Sequence, residues 1–206
     1  NIQFQTKIPI SLMTFSRLLF PSSKLSTFDG KERFVHEFPC ELEHLYRSLP
    51  FLASQKDNLE EHLNKQMTKK TNRDLAVAFY DVTTYYFESV LADDVKKFGF
   101  SKDNKVNQVQ VVMGLLIDNH GIPVSYELFP GNTNDFKTLE PVLKRLKRQY
   151  GITKLIIVAD RGLNSKKNLL FLKSIGFEYI MGYKIRSGSK KAKEIVLDDS
   201  GYHHEL

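Results

Sequence analysis

The chain has 206 residues, 41% of them hydrophobic, with one cysteine and a net charge of +6. That length supports one sizeable domain plus a smaller appendage. A single cysteine excludes a disulfide framework, no Cys/His cluster has zinc spacing, and no apolar run approaches the ~18 residues of a membrane span. Residues 8–20 are interrupted by Pro9, Ser11, Thr14, Ser16 and Arg17 and do not read as a signal peptide. A reducing cytoplasm is the expected compartment. The opening residue is Asn1 rather than Met, which fits a piece of a longer protein.

The charge is uneven. Residues 137–206 carry 15 Lys/Arg against 7 Asp/Glu, whereas residues 1–136 carry 15 against 17. A basic second half suits a polyanion partner, nucleic acid first, or is simply a solvated lysine-rich surface.

Residues 1–74 read as helical and polar. Leu42, Leu45, Tyr46 and Leu49 follow helical spacing, and Pro50 is expected to end or kink that segment. Asp57 is placed to cap a second helix with Leu59, Leu63 and Met67 on one stripe, and Lys69 and Lys70 suit its last turn. The Ser/Gly-rich stretch 21–33 reads as loop. At residue 75 the period changes. Residues 75–87, LAVAFYDVTTYYF, are apolar, β-branched and aromatic, as a buried strand should be, with Asp81 in the middle. Residues 93–105 are charged and read as loop, with Phe98 and Phe100 tucked in. Residues 109–117 and 122–129 read as two further strands joined by the turn Asp118-Asn119-His120-Gly121.

Residues 130–135, PGNTND, have loop chemistry. Thr138 is expected to cap a helix with Leu139, Val142, Leu143 and Leu146 on one face and Lys144, Arg145, Lys147 and Arg148 mostly on the other, closed by Gly151. Residues 154–160, KLIIVAD, form a strand that delivers Asp160 at its end. Ser165 caps a helix through Ile175, ended by Gly176, and residues 177–184 read as a last strand. The Gly/Ser/Lys-rich stretch 186–193 is expected to be mobile. The order β-β-β-α-β-α-β is that of an α/β ribonuclease-H-like mixed sheet, and a ferredoxin-like or other mixed α/β domain is the competing architecture. The expected division is a helical N-terminal region, residues 1–74, and a core, residues 75–206.

A lone carboxylate on a buried strand costs several kcal/mol unless something compensates it, and a metal ion is one such compensation. Two strands that each present one Asp can bring Asp81 and Asp160 together, and two close carboxylates repel unless a cation sits between them.

Three motifs carry a resemblance. DVTTYYFE around Asp81, FPGNTND at 129–135 and VADRGLNS at 158–165 resemble insertion-sequence transposases of the DDE class, closest to the group whose third acid lies in a Tyr-Arg-Glu-Lys signature. The N-terminal PSSKLSTFDGK is also similar to that group. The resemblance implies Asp81 and Asp160 as the first two catalytic acids and metal ligands, with Mg²⁺ or Mn²⁺ as cofactor. It implies DNA as partner (insertion-sequence ends and target), a homodimer in the synaptic complex, and a bacterial, nucleoid-associated setting.

Two Mg²⁺ ions ~3.5–4 Å apart clamp an in-line phosphoryl displacement and require hard oxygen ligands. The signature with the third acid does not occur after Asp160: Glu178 falls in a strand, and Glu194 and Glu205 lack the surrounding pattern. The chain therefore reads as a transposase fragment, inactive by itself.

Arg161 is a candidate for contact with the scissile phosphate or for pairing with an acid. Lys144, Arg145, Lys147, Arg148, Lys166 and Lys167 are candidate DNA contacts or solvated helix faces. Asn132 and Asp135 are turn-formers or DNA contacts, and Thr83 is a candidate partner of a metal ligand. A ribonuclease-H-like nuclease or resolvase completed by Glu88 or Asp135, and a non-catalytic DNA-binding remnant, are the alternative functions.

Overall fold

A computed structural model describes residues 5–88, 91–99, 108–198 and 200. Phe100 and the tail with His203, His204 and Glu205 lie outside the described residues. The chain divides into two compact units, Asn1–His62 and Leu63–Leu206.

The first unit is helical. Helices α1 (Lys7–Leu19), α2 (Lys24–Asp29) and α3 (Leu42–Ser54) gather around Leu12, Phe38, Cys40 and Leu45, with Ile8, Met13, Phe28 and Phe34 packed against them. Phe34 meets Phe38 edge to face at 5.5 Å. The loop expected over residues 21–33 is instead α2, whose Ser23 side chain accepts from the Ser26 backbone N–H, followed by a 3₁₀ turn at Lys31–Arg33. A serine cap outweighs the stretch's turn-like composition. Pro50 neither ends nor replaces α3, which continues four residues beyond it.

Helix α4 (Lys56–Thr71) contains the boundary between the units. Asp57 lies in its first turn rather than capping it. Its expected apolar stripe is not buried: Leu59 and Leu63 are 48% and 52% exposed, while Glu60 and Asn64 are the buried positions.

The second unit is a six-stranded mixed sheet with helices on one face. Strands β1 (Val77–Phe87), β3 (Val109–Asp118) and β4 (Pro123–Pro130) form an antiparallel meander, and β2 (Lys97–Phe98) pairs with the start of β3. Strands β5 (Ile156–Ala159) and β6 (Glu178–Met181) add in parallel on the other side of β1. The order β4-β3-β1-β5-β6, with helix α5 (Leu139–Tyr150) between β4 and β5 and helix α6 (Lys166–Ile175) between β5 and β6, is the ribonuclease-H-like arrangement.

Both helices end on a left-handed glycine, Gly151 and Gly176, where a side chain would be strained. The core-facing residues are Ala78, Tyr80 and Val82 of β1, Val112 and Leu116 of β3 and Ile157 of β5, covered by Leu139, Val142, Leu143 and Leu146 of α5 and Leu172 of α6. Burial of each leucine is worth ~1.5–3 kcal/mol.

Two expectations on exposure are corrected. Phe98 is 49% exposed and forms a strand rather than tucking in. The stretch expected to be mobile becomes helix α7 (Lys190–Leu197) from Lys190 on, capped by Ser189, whose hydroxyl accepts from the Ala192 N–H.

A buried polar network braces the meander. Arg73 Nε lies 2.7 Å from Asp118 Oδ2, both side chains being 1% exposed. Arg73 also donates to the Pro123 carbonyl and to Asn64 Oδ1, and Asn64 donates to the Val124 carbonyl and the Tyr150 hydroxyl. Asp118 in turn accepts from the N–H groups of His120 and Ile122. The turn expected at 118–121 is present, with this ion pair beneath it.

Candidate active site

The register settles where the two acids stand. Strand β5 pairs with β1 up to Tyr80↔Ala159. Asp81 and Asp160 are the next residue on each strand, and adjacent strands lie ~4.8 Å apart. The two carboxylates are therefore neighbours at the carboxyl end of β5, and strand alternation puts both on the face away from the core. Asp160 Oδ1 accepts from the Gly162 N–H at 2.8 Å, and Gly162 leaves room there, since a Cβ would stand 3.0 Å from that oxygen.

Burial is the point of correction. Asp81 is exposed, as are Phe79, Thr83, Tyr85 and Phe87 on the same side of β1, while Ala78, Tyr80 and Val82 are buried. The strand is covered on one face only, so Asp81 carries no large desolvation penalty, and the case for a cation rests on two adjacent carboxylates rather than on one buried charge. Thr83 lies on this same exposed face. Among the described residues no group of three or more His, Cys, Asp or Glu is gathered so as to hold a metal ion, so neither Glu88 nor Asp135 completes a set with the pair.

Beside Asp160, across the carboxyl ends of β1 and β5, the FPGNTND segment forms a loop held at its backbone. The Gln110 side chain donates to the Gly131 carbonyl at 2.6 Å. Thr138 donates its hydroxyl to the Asp135 carbonyl at 2.7 Å and accepts from the Tyr80 hydroxyl at 2.8 Å. Asn168 donates to the carbonyls of Phe136 and Leu163. Thr138 occupies the N-cap position of α5 but is turned away from the capping role expected of it. Burial pushes the Tyr80 phenol well above its ordinary pKa, the Thr138 contact offsetting this in part. Tyr80 reaches Thr138 past Gly114, where any side chain would collide with the phenol. Gly131 is packed against the carbonyls of Gln110 and Lys97.

The loop borders a crevice of about 280 Å³ lined by residues including Thr84, Asn132, Thr133, Asn134, Asp135 and Lys184. Of the candidate DNA contacts, Arg161 is exposed next to Asp160. The α5 and α6 cations lie in the helical layer, which covers the opposite face of the sheet from Asp81. Several already hold protein groups. Lys144 and Lys167 meet Glu140 at 2.7 and 3.1 Å and hold its carboxyl below the usual range. Arg145 meets Glu127 at 2.7 Å. Lys147 donates to the Ile175 carbonyl. Arg148 and Lys166 are exposed.

Sequence reasoning missed Tyr80, Gln110, Asn168 and Lys184. A lone Asn inside the apolar run NLLFL and a Gln among the valines of β3 were the available signals, since a buried polar side chain on an apolar element must have a partner.

No curated protein matches the chain. Among solved structures it is similar to a Mos1 transposase paired-end complex with left transposon end, at 12% identity and a TM-score of 0.36, over 97% of this chain and 71% of that one. It is similar to a pre-cleavage Mos1 transpososome at 10% identity and a TM-score of 0.36, over 87% of this chain and 60% of that one. It is also similar to a piggyBac transposase synaptic complex with hairpin DNA, at 13% identity and a TM-score of 0.49, over 96% of this chain and 44% of that one. Residues 60–204 match the family model of the transposase DDE domain, which takes in the whole sheet, both aspartates and the loop beside them: the chain belongs to the transposase DDE domain family.

Proposed function

We propose that this chain supplies two of the metal-binding acids of a DNA transposase, an enzyme that cleaves phosphodiester bonds and transfers strands to move an insertion sequence. The observation that carries the reading is the adjacency of Asp81 and Asp160 on the exposed face at the carboxyl ends of two parallel strands. Family membership favours transposition over a ribonuclease-H-like nuclease, a resolvase or a DNA-binding remnant.

The donor set fits a hard divalent cation, Mg²⁺ or Mn²⁺: oxygen ligands only, exposed and close enough to share an ion. When bound, such ions activate the attacking oxygen and neutralise charge on the transferring phosphoryl group. Asp81 and Asp160 hold that position. The Gly162 N–H fixes the Asp160 carboxylate, and Arg161 beside it offers a guanidinium to a phosphate. The core extends over residues 75–206, and the helical region over 1–74, with the later turns of α4 bracing the sheet through Asn64. Insertion-sequence ends and target DNA are the partners. Two copies meet in a synaptic complex, in the cytoplasm of a bacterium and on its nucleoid.

Mn²⁺ binding tests the reading, followed by electron paramagnetic resonance on the chain and its Asp81→Asn and Asp160→Asn variants. Both substitutions should abolish the bound-ion signal. Binding that neither substitution alters would remove the metal site from this position.

A further inference from the structure

Resting on that reading, we propose that the crevice beside Asp160 holds the phosphodiester backbone of a single DNA strand, with Lys184 on a phosphate and the Asn132 and Asn134 amides on neighbouring oxygens or base edges. Three observations converge on it.

The first is rigidity. The loop 131–136 is pinned through three of its own carbonyls, by Gln110, Thr138 and Asn168. Two of these donors are themselves buried side chains on the sheet and on α6, and the third is tied to Tyr80. A loop held by its backbone keeps its side chains available in a fixed place, which lowers the ordering cost of binding.

The second is the chemistry of the lining. Asn132 and Asn134 are exposed, and Thr84, Thr133 and Lys184 stand with them around the cavity. Among the described residues, none of these five side chains has a hydrogen bond or ion pair. Lys144, Arg145 and Lys167 on the helices contrast with this, since each already holds a carboxylate. Amides and hydroxyls with one cation suit a phosphodiester and its adjoining base rather than an apolar ligand.

The third is place. Beyond Tyr80 strand β1 has no β5 partner, because β5 ends at Ala159. The crevice occupies that gap. Gly162 lines it and donates its N–H to Asp160. A strand whose phosphate lies at the two aspartates therefore passes directly into the crevice, and about 280 Å³ accommodates one nucleotide unit but not a duplex.

The test is fluorescence anisotropy with labelled single-stranded and blunt duplex DNA over a range of salt concentrations. The proteins are the full chain, Lys184→Gln, Lys184→Arg, Asn132→Ala and Asn134→Ala, with Lys173→Gln at the end of α6 as a distant control. All five positions are exposed, so the variants should melt with the wild type. Lys184→Gln should shrink the salt slope on single strands by ~0.7, the value of one lost phosphate contact. Lys184→Arg should restore it, and Lys173→Gln should leave it unchanged. Asn132→Ala and Asn134→Ala should each raise Kd about two- to tenfold with no change of slope.

If the wild type binds and the Lys184 and Asn variants match it, the crevice assignment is wrong while the transposase reading stands. A slope change on duplex alone overturns the single-strand assignment. A wild-type chain that binds neither DNA overturns both.

Discussion

Replacing Arg73 by Ala should be among the most damaging single changes in the sheet unit. The guanidinium is 1% exposed and its Nε lies 2.7 Å from Asp118 Oδ2, which is equally buried. Removing one partner leaves the other charge buried without compensation, at a cost of about 3–5 kcal/mol. The Pro123 carbonyl and Asn64 lose a donor as well, so the upper part of that range is expected. Asp118 retains the N–H groups of His120 and Ile122, which keeps the loss finite.

The sign with pH follows from the carboxyl. Burial by itself raises its pKa, but the two backbone bonds and the Arg73 charge outweigh it and hold it below the usual carboxylate value. A depressed folded pKa gives stability that is full above the unfolded pKa of ~3.9 and lost as pH falls through the folded value. Arg73→Ala removes one lowering cause, so acid unfolding should begin at a higher pH. Urea unfolding followed by circular dichroism reads both effects as a shift in midpoint at constant m. The double variant Arg73→Met/Asp118→Asn, which leaves no buried charge, should recover much of the loss. A single-variant cost under ~1 kcal/mol, or a double variant worse than the single, would refute the reasoning.

Gly114→Ala should cost ~1–3 kcal/mol by overpacking against the Tyr80 phenol, and Tyr80→Phe in the same chain should relieve most of it; equal melting temperatures for the single and double variants would count against the collision. Asn168→Ala leaves two buried carbonyls without their donor, so about 1–3 kcal/mol of stability should be lost, with earlier amide exchange in the loop 131–136; unchanged exchange there would show the loop is held otherwise. Cys40 is buried and burial raises its thiol pKa, so a thiol reagent should label it only at the rate of unfolding, and labelling as fast as that of a free thiol at neutral pH would contradict the packing. With Mg²⁺ or Mn²⁺ and supercoiled DNA the chain alone should show no nicking, because two carboxylates position the ions loosely; nicking abolished by Asp81→Ala would prove the set complete.

Local chemistry fixed much of this protein in advance. The β-branched runs gave the strands, the Asn119-His120-Gly121 stretch gave the turn between β3 and β4, and Ser165, Gly151 and Gly176 bounded the helices. These signals act within a few residues, so they can be read from sequence. Asp81 and Asp160 could be singled out for a similar reason: a carboxylate in or at the end of an apolar run is conspicuous.

Tertiary structure decided what depends on pairing between distant segments. Which face of β1 is covered is set by where α5 and α6 pack, and that put Asp81 on the exposed side and the lysines of both helices on the other. Leu59 and Leu63 obey helical spacing yet stay exposed, because Asn64 rather than a leucine meets the sheet, where its amide finds Val124 and Tyr150. Arg73 and Asp118 are 45 residues apart in sequence, and Tyr80 and Thr138 are 58. A buried hydrogen bond between such residues leaves no local periodicity, so only the folded sheet reveals that the loop beside the aspartates is clamped.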